Sequence, residues 1–300
     1  MKWTIEKEHD GMNIRDYLQE VRGLSRRILI SAKSEEGQIL VNGKKERVRK
    51  LLESEDELEV HLPPEQISEW LFPEKIKLSI IYEDEAIIVL NKPSGMATLP
   101  SPKHKSGTVA NALLGYYQSI GNPNTVHVVT RLDRDTSGLI LIAKERLSHS
   151  LLAKSQKQFG IKRKYQAIIE GELEKDKGTI DAPIGRKEGS IIEREVTSTG
   201  KVAITHFETL QKWQDYSLVK IELETGRTHQ IRVHFSHINH PLAGDDLYGG
   251  KTDVIHRQAL HCHELTFDHP YTNRTHTFTA ELPEDLVGLV NRLTNLKRIN

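Results

Sequence analysis

The chain has 300 residues, 42 basic and 42 acidic side chains, 37% hydrophobic residues and one cysteine. That length accommodates one large and one small domain with a buried core, and the balanced charge means that affinity for a polyanion must come from local clustering. The lone Cys262 excludes an internal disulfide framework and a cysteine-rich zinc site and fits a reducing compartment, while no apolar run approaches the ~20 residues of a membrane span, so the expectation is a soluble, cytoplasmic protein with no membrane partner.

Residues 13 to about 60 read as helix, helix, then a strand pair. Leu18 and Val21, then Ile28, Leu29 and Ala32, have helical spacing, and Ile39-Leu40-Val41-Asn42-Gly43-Lys44 places Asn-Gly at a hairpin turn. Residues 22–50 hold nine basic and three acidic side chains and residues 53–59 hold five acids, which predicts a basic face over an acidic edge. Pro63-Pro64, followed by Pro73, enforces extended backbone. The organisation therefore reads as a small module over 1–62, a linker over 63–77 and a large domain over 78–300. In the large domain, strands are expected at 86–91, 139–143, 165–169, 203–210 and 217–222, with helices at 107–117 and 148–159. Strands mixed with segregated helices, without strict alternation, predict an α+β fold on a mixed, mostly antiparallel sheet.

The polar segment Thr130-Arg131-Leu132-Asp133-Arg134-Asp135-Thr136-Ser137-Gly138 runs straight into a buried strand. Such a segment serves a site more often than a core. Tyr165 alternates with Ala167 and Ile169, which turns its ring inward, and residues 154–164 carry five basic and no acidic side chains, a pattern suited to phosphate. After Gly226-Arg227, Thr228 reads as a helix N-cap, with Ile231, Phe235 and Ile238 on the apolar face and His229 and Arg232 together on another. His229, His234, His237 and His240 lack zinc-protease spacing and cysteine company, so no metal is expected. There is no P-loop, glycine-rich nucleotide fingerprint or Gly-x-Ser-x-Gly elbow.

Residues 130–139 resemble the signature of the pseudouridine synthases of the large-subunit ribosomal RNA type, His-Arg-Leu-Asp, two free positions, Thr-Ser-Gly, with Thr130 in place of the His. Further blocks follow in order: Asn91-Lys92-Pro93-Ser94-Gly95, Arg163-Lys164-Tyr165-Gln166-Ala167, Thr225-Gly226-Arg227-Thr228-His229-Gln230-Ile231-Arg232, and His240-Pro241-Leu242-Ala243-Gly244-Asp245. Together they span about 78–283. The resemblance implies RNA as partner and an isomerisation of uridine that needs no cofactor. Large-subunit ribosomal RNA is the leading substrate and transfer RNA the alternative.

The resemblance makes Asp133 the catalytic carboxylate, as nucleophile or as base at C2′, with Asp135 on a free position. It makes Arg131 the side chain that fills the gap left by a flipped nucleotide, Tyr165 the platform for uracil and Arg232 the partner of the aspartate. Lys164, Arg227 and His229 fall in the matched blocks as RNA contacts. Residues 1–62 resemble the S4 RNA-binding domain, with Ser25-Arg26-Arg27 and Val41-Asn42-Gly43 in its places, which adds Arg26, Arg27 and Lys44 as RNA contacts. A monomer is expected.

Two rival readings are a noncatalytic RNA-binding or ribosome-assembly factor, which only Thr130 feeds, and a metal-dependent hydrolase using the histidines. If the family histidine braces the loop that presents Arg131 and Asp133, a threonine hydroxyl can do so by a shorter contact and the chain remains an enzyme.

Overall fold

The computed structural model describes residues 1–101, 104–158 and 160–296. Its first strands are β1 (Lys2–Thr4), β2 (Gln38–Val41), β3 (Lys44–Lys45) and β4 (Glu57–His61), in the antiparallel order β1-β4-β2-β3. Between β1 and β2 lie α1 (Ile14–Asp16), which continues as a π-helical turn over Tyr17–Val21, and α2 (Arg26–Ala32). Asn13 and Ser25 start these helices by accepting the N–H groups of Asp16 and Ile28. The Asn-Gly hairpin is present, with Asn42 and Gly43 at φ 50° and 77°. The acidic segment is not an edge. β4 lies inside the sheet, and Glu57 and Glu59 pair with Lys2 of β1 at 3.0 and 3.4 Å. Arg26, Arg27 and Lys44 are exposed.

Residues 63–77 form no helix or strand, yet they are strapped down. The Glu65 carboxylate accepts from the Thr125 N–H at 2.9 Å and meets His127 at 2.8 Å and Arg146 at 3.3 Å. Glu74 accepts from the Gly107 N–H, and the Phe72 carbonyl accepts from Asn111.

The main sheet takes β5 (Ile80–Glu83), β6 (Ile87–Lys92), β7 (His127–Val128), β8 (Ser137–Ala143), β9 (Lys162–Glu170), β10 (Lys177–Asp181), β13 (Ile204–Lys212), β14 (Tyr216–Leu223), β15 (Leu260–Asp268) and β16 (Thr275–Thr279). A hairpin of β11 (Ile184–Arg186) and β12 (Arg194–Val196) stands apart. The order is β10-β13-β14-β9-β15-β8-β6-β5, with β16 beside β15 and β7 beside β8; among the described pairs only β15–β8 is parallel. The expected α+β fold on a mixed, mostly antiparallel sheet is what forms.

All seven residues of β8 are buried, as a strand covered on both faces requires. Helices α3 (Val109–Ser119), α4 (Arg146–Lys157), α5 (Gln230–His237) and α6 (Glu284–Leu296) cover the sheet. The helix expected over 148–159 is α4, and Phe159 lies outside the described residues. In the large domain the strands β5, β7, β10, β11, β12, β15 and β16 and the helix α6 were not among the expectations. Leu286, Leu289 and Leu293 of α6 pack on Ile168, Trp213 and Tyr216. Helix α4 is shared: its Leu147 belongs to the core of the N-terminal unit, and Arg146 donates to Ser31 Oγ at 3.1 Å. No helix among the described residues is long and apolar enough to cross a membrane.

Candidate active site

The segment between β7 and β8 is held from behind. Thr130, 2% exposed, donates its N–H to the Leu141 carbonyl at 3.2 Å and accepts the Leu141 N–H on its hydroxyl at 2.9 Å. The buried Leu132 offers its carbonyl to the Thr98 hydroxyl at 2.9 Å. Lys92, 1% exposed, donates to the carbonyls of Pro93, Met96 and Arg134 at 2.8, 2.7 and 2.9 Å. Burial pushes its pKa down to about 7 against the pull of Asp135 and Asp133, and the three carbonyls use all three ammonium protons. Gly138 sits at φ 115°, where a Cβ would stand 2.3 Å from the Cys262 carbonyl oxygen, so the approach of β8 to β15 demands glycine. With Thr130 and Leu132 turned inward, Arg131 and Asp133 line a cleft.

The opposite wall is α5, and its start differs from the expected one. Thr228 does not cap it; His229 is the N-cap residue, in the left-handed conformation at φ 57°. The reason is Gln230, whose side-chain oxygen accepts from the Arg227 N–H and the Thr225 hydroxyl while its amide donates to Ile204 and Thr205. Left-handed backbone in a residue other than glycine is strained and concentrates at functional sites. The apolar face is as expected, with Ile231 and Phe235 buried.

Arg232 has two carboxylates. It grips the fully buried Asp245 through Nε and Nη2, both at 2.7 Å, and reaches Asp133 Oδ2 through Nη1 at 3.4 Å. The expected Asp133 pairing is therefore the looser of the two. Burial works against its charge, yet the Asp245 hydrogen bonds and charge, with Asp133, outweigh it and raise the guanidinium's pKa. The Tyr248 ring lies under Arg232 at 4.9 Å. The Tyr248 hydroxyl accepts from the Arg194 N–H at 3.0 Å and bonds His229 Nδ1 at 2.8 Å. With that hydroxyl donating its hydrogen bond to Nδ1, the ring proton sits on Nε2, facing Asp133 Oδ1 at 3.9 Å. Burial lowers the His229 pKa, as does Arg232, while Asp133 and Asp245 oppose the shift.

The cleft between these walls measures about 1020 Å³, and its lining includes seven Lys or Arg side chains against Asp133 and Glu224 alone. A chain of balanced charge thus concentrates positive potential at one concavity. Tyr165 lines it from β9, 4% exposed, with Ala167 and Ile169 in the core behind. Burial raises the Tyr165 pKa, keeping the phenol neutral. Its strand partner Cys262 is likewise buried, and burial pushes that thiol up to about 12.

Lys164 does not line this cleft. Strand alternation turns it to the other face, where it pairs with Glu264 at 2.6 Å, and Arg163 faces the cleft instead. Arg227 lines the cleft, anchored on the Val202 carbonyl at 2.9 Å. Arg131 is exposed there, without a hydrogen-bond or ion-pair partner among the described residues. Asp135 pairs with Arg134 at 3.0 Å. Arg26, Arg27 and Lys44, on the N-terminal unit, are not part of this cleft. His234 and His240 spend ring nitrogens on Ala182 and Glu170 carbonyls, away from His229.

Three residues escaped the sequence reading: Lys92, Asp245 and Tyr248. The first two lie inside blocks singled out by resemblance, whereas Tyr248 carried no signal. The arrangement offers a carboxylate, oriented by a locked arginine, in a basic cleft that an aromatic ring also lines. It suits a planar ring carried on a polyanion.

The two Leu141 bonds make Thr130 a brace, directed away from Asp133. Thr130→Val is expected to cost about 1–2 kcal/mol of stability, the price of a lost buried hydrogen bond, and to change turnover less than ~10-fold. Denaturant unfolding and rate assays check this; a folded variant more than ~100-fold slower would assign Thr130 to the chemistry.

Residues 86–237 match the family model described as RNA pseudouridylate synthase. The chain is 47% identical over 279 residues to a Bacillus subtilis (strain 168) protein named as an uncharacterized RNA pseudouridine synthase, YjbO, covering 93% of this chain and 98% of that one. It is 38% identical over 272 residues to ribosomal large subunit pseudouridine synthase D of Pseudomonas aeruginosa, covering 86% and 84%. Among solved structures, human RNA pseudouridylate synthase domain containing 1 aligns with a TM-score of 0.60 at 23% identity, over 76% of this chain and 97% of that chain; this is a likeness of fold.

Proposed function

The chain belongs to the RNA pseudouridylate synthase family, and from that premise we propose that Asp133 is its essential carboxylate and that large-subunit ribosomal RNA carries its target. The observation that carries this reading is the Asp133 carboxylate held at 3.4 Å from Arg232 in a basic cleft lined by Tyr165.

The reaction breaks the bond from N1 to C1′, turns the uracil and joins C5 to C1′, after which C5 gives up its proton and N1 takes one up. Atoms balance without an added group. Attack at C1′ and proton removal at C2′ both need an ionised carboxylate against the ribose. Arg232 fixes the direction of the Asp133 carboxylate at 3.4 Å, and its two bonds to Asp245 keep it from swinging away. Because a stacked base hides the bond to be broken, the nucleotide must flip out; Arg131, exposed and unpartnered among the described residues, is suited to the vacated space. The buried Tyr165 ring supports the detached uracil, which no covalent bond holds between cleavage and rejoining. We read residues 1–62 as an S4-like RNA-binding module presenting Arg26, Arg27 and Lys44.

The named activity of the Pseudomonas relative supports ribosomal RNA as the substrate. Pseudouridine maps of total RNA from cells with and without the gene test it. Loss of discrete pseudouridines from large-subunit ribosomal RNA is expected, and losses confined to transfer RNA would overturn that choice.

A further inference from the structure

Arg163 lies two residues before Tyr165 on the same face of β9, half-buried in the cleft wall. Its neighbours are occupied: Lys164 by Glu264, Arg232 by Asp245, Arg227 by the Val202 carbonyl. Arg163 has no hydrogen-bond or ion-pair partner among the described residues. A guanidinium that loses hydration without gaining acceptors is unfavourable, unless its acceptor arrives with a ligand.

The space it occupies depends on a second residue. A Cβ on Gly226 would stand 2.7 Å from Arg163 Nη2, so the guanidinium rests against bare backbone. Two strand steps separate Arg163 from Tyr165, ~7 Å along β9. A group there stands beside a base stacked on the tyrosine, where the sugar-phosphate chain runs, and a planar fork of N–H donors matches phosphate oxygens bidentately.

We propose that Arg163, seated against Gly226, is a phosphodiester clamp for the RNA strand flanking the target nucleotide. This rests on the RNA-modifying reading of the same cleft. It gives Gly226 a task other than backbone freedom: the absence of a side chain lets the arginine reach its place. The group that a Cβ would meet is the flexible end of a side chain, so Gly226→Ala displaces the clamp while the fold stays intact.

The test measures binding of a large-subunit ribosomal RNA transcript across a salt series, with thermal melting to confirm folding, for wild type, Arg163→Gln, Arg163→Lys, Gly226→Ala and the Arg163→Gln/Gly226→Ala double variant. Arg163→Gln should weaken binding ~10-fold at low salt and flatten the slope of log K against log salt by about 0.7–0.9, the value of one phosphate contact. Arg163→Lys should restore the slope but not the full affinity, because the charge remains and the fork is gone. Gly226→Ala should weaken binding in the same direction, and the double variant should be no weaker than Arg163→Gln.

An unchanged slope in folded Arg163→Gln would sink the clamp alone. So would additive losses in the double variant, which would give Gly226 a role independent of Arg163. A wild type lacking salt-dependent affinity would sink the RNA reading beneath the clamp and the clamp with it.

Discussion

Asp133→Asn should leave the protein folded and RNA-bound yet slower by at least ~10³-fold, about 4 kcal/mol of barrier. The side chain is 29% exposed, pairs with Arg232 at 3.4 Å and lies 3.9 Å from His229 Nε2. Arg232 keeps both bonds to Asp245 when Asp133 loses its charge. No buried charge is stranded, and stability should stay within about 1 kcal/mol of wild type. What disappears, on the proposed reading, is the carboxylate oxygen that acts at the ribose. Asp135→Asn is the control, since that carboxylate pairs with Arg134 and should tolerate the change. Turnover of Asp133→Asn above a tenth of wild type would move the essential role elsewhere.

Arg232→Met should fail twice. It strands Asp245, whose side chain is 0% exposed and holds two 2.7 Å bonds from the guanidinium. An uncompensated buried charge costs about 3–5 kcal/mol, and Asp133 also loses its orienting cation, which should cut turnover ~100-fold or more, about 2.7 kcal/mol of barrier. The two effects separate in Arg232→Met/Asp245→Leu. With both charges gone the interior is apolar again, so urea unfolding should show most of the stability recovered. Turnover should not return. A double variant with near-native rates would remove Arg232 from the site, and a single variant of unchanged stability would show that Asp245 does not depend on it.

The parts of the fold legible in the sequence were those whose period is short and whose burial is complete. The apolar run of β8 and the alternation of Tyr165, Ala167 and Ile169 are both found in the core. The Asn-Gly turn was legible because few other pairs tolerate two positive φ values. The start of α5 was not, because Gln230 ties the preceding turn through its side chain and His229 takes a left-handed conformation that its residue type does not announce.

Arg163 lines the cleft and Lys164 pairs with Glu264, because one strand position is the smallest step that reverses a face. The Asp245 partner of Arg232 was invisible to spacing, because it comes from a loop beyond the helix and is chosen by tertiary packing. Helix α6 carries a start signal in the sequence, Pro283 followed by Glu284 and Asp285.

Tritium release from a large-subunit ribosomal RNA transcript labelled at uridine C5, with wild type and Asp133→Asn side by side, follows the proton that C5 must lose when it joins C1′. Wild type should release tritium in proportion to the pseudouridine formed at discrete positions, and Asp133→Asn should bind the transcript and release essentially none. Equal release by the two proteins, or a wild type that binds this transcript and leaves its label intact, would contradict a carboxylate-driven isomerisation of that RNA.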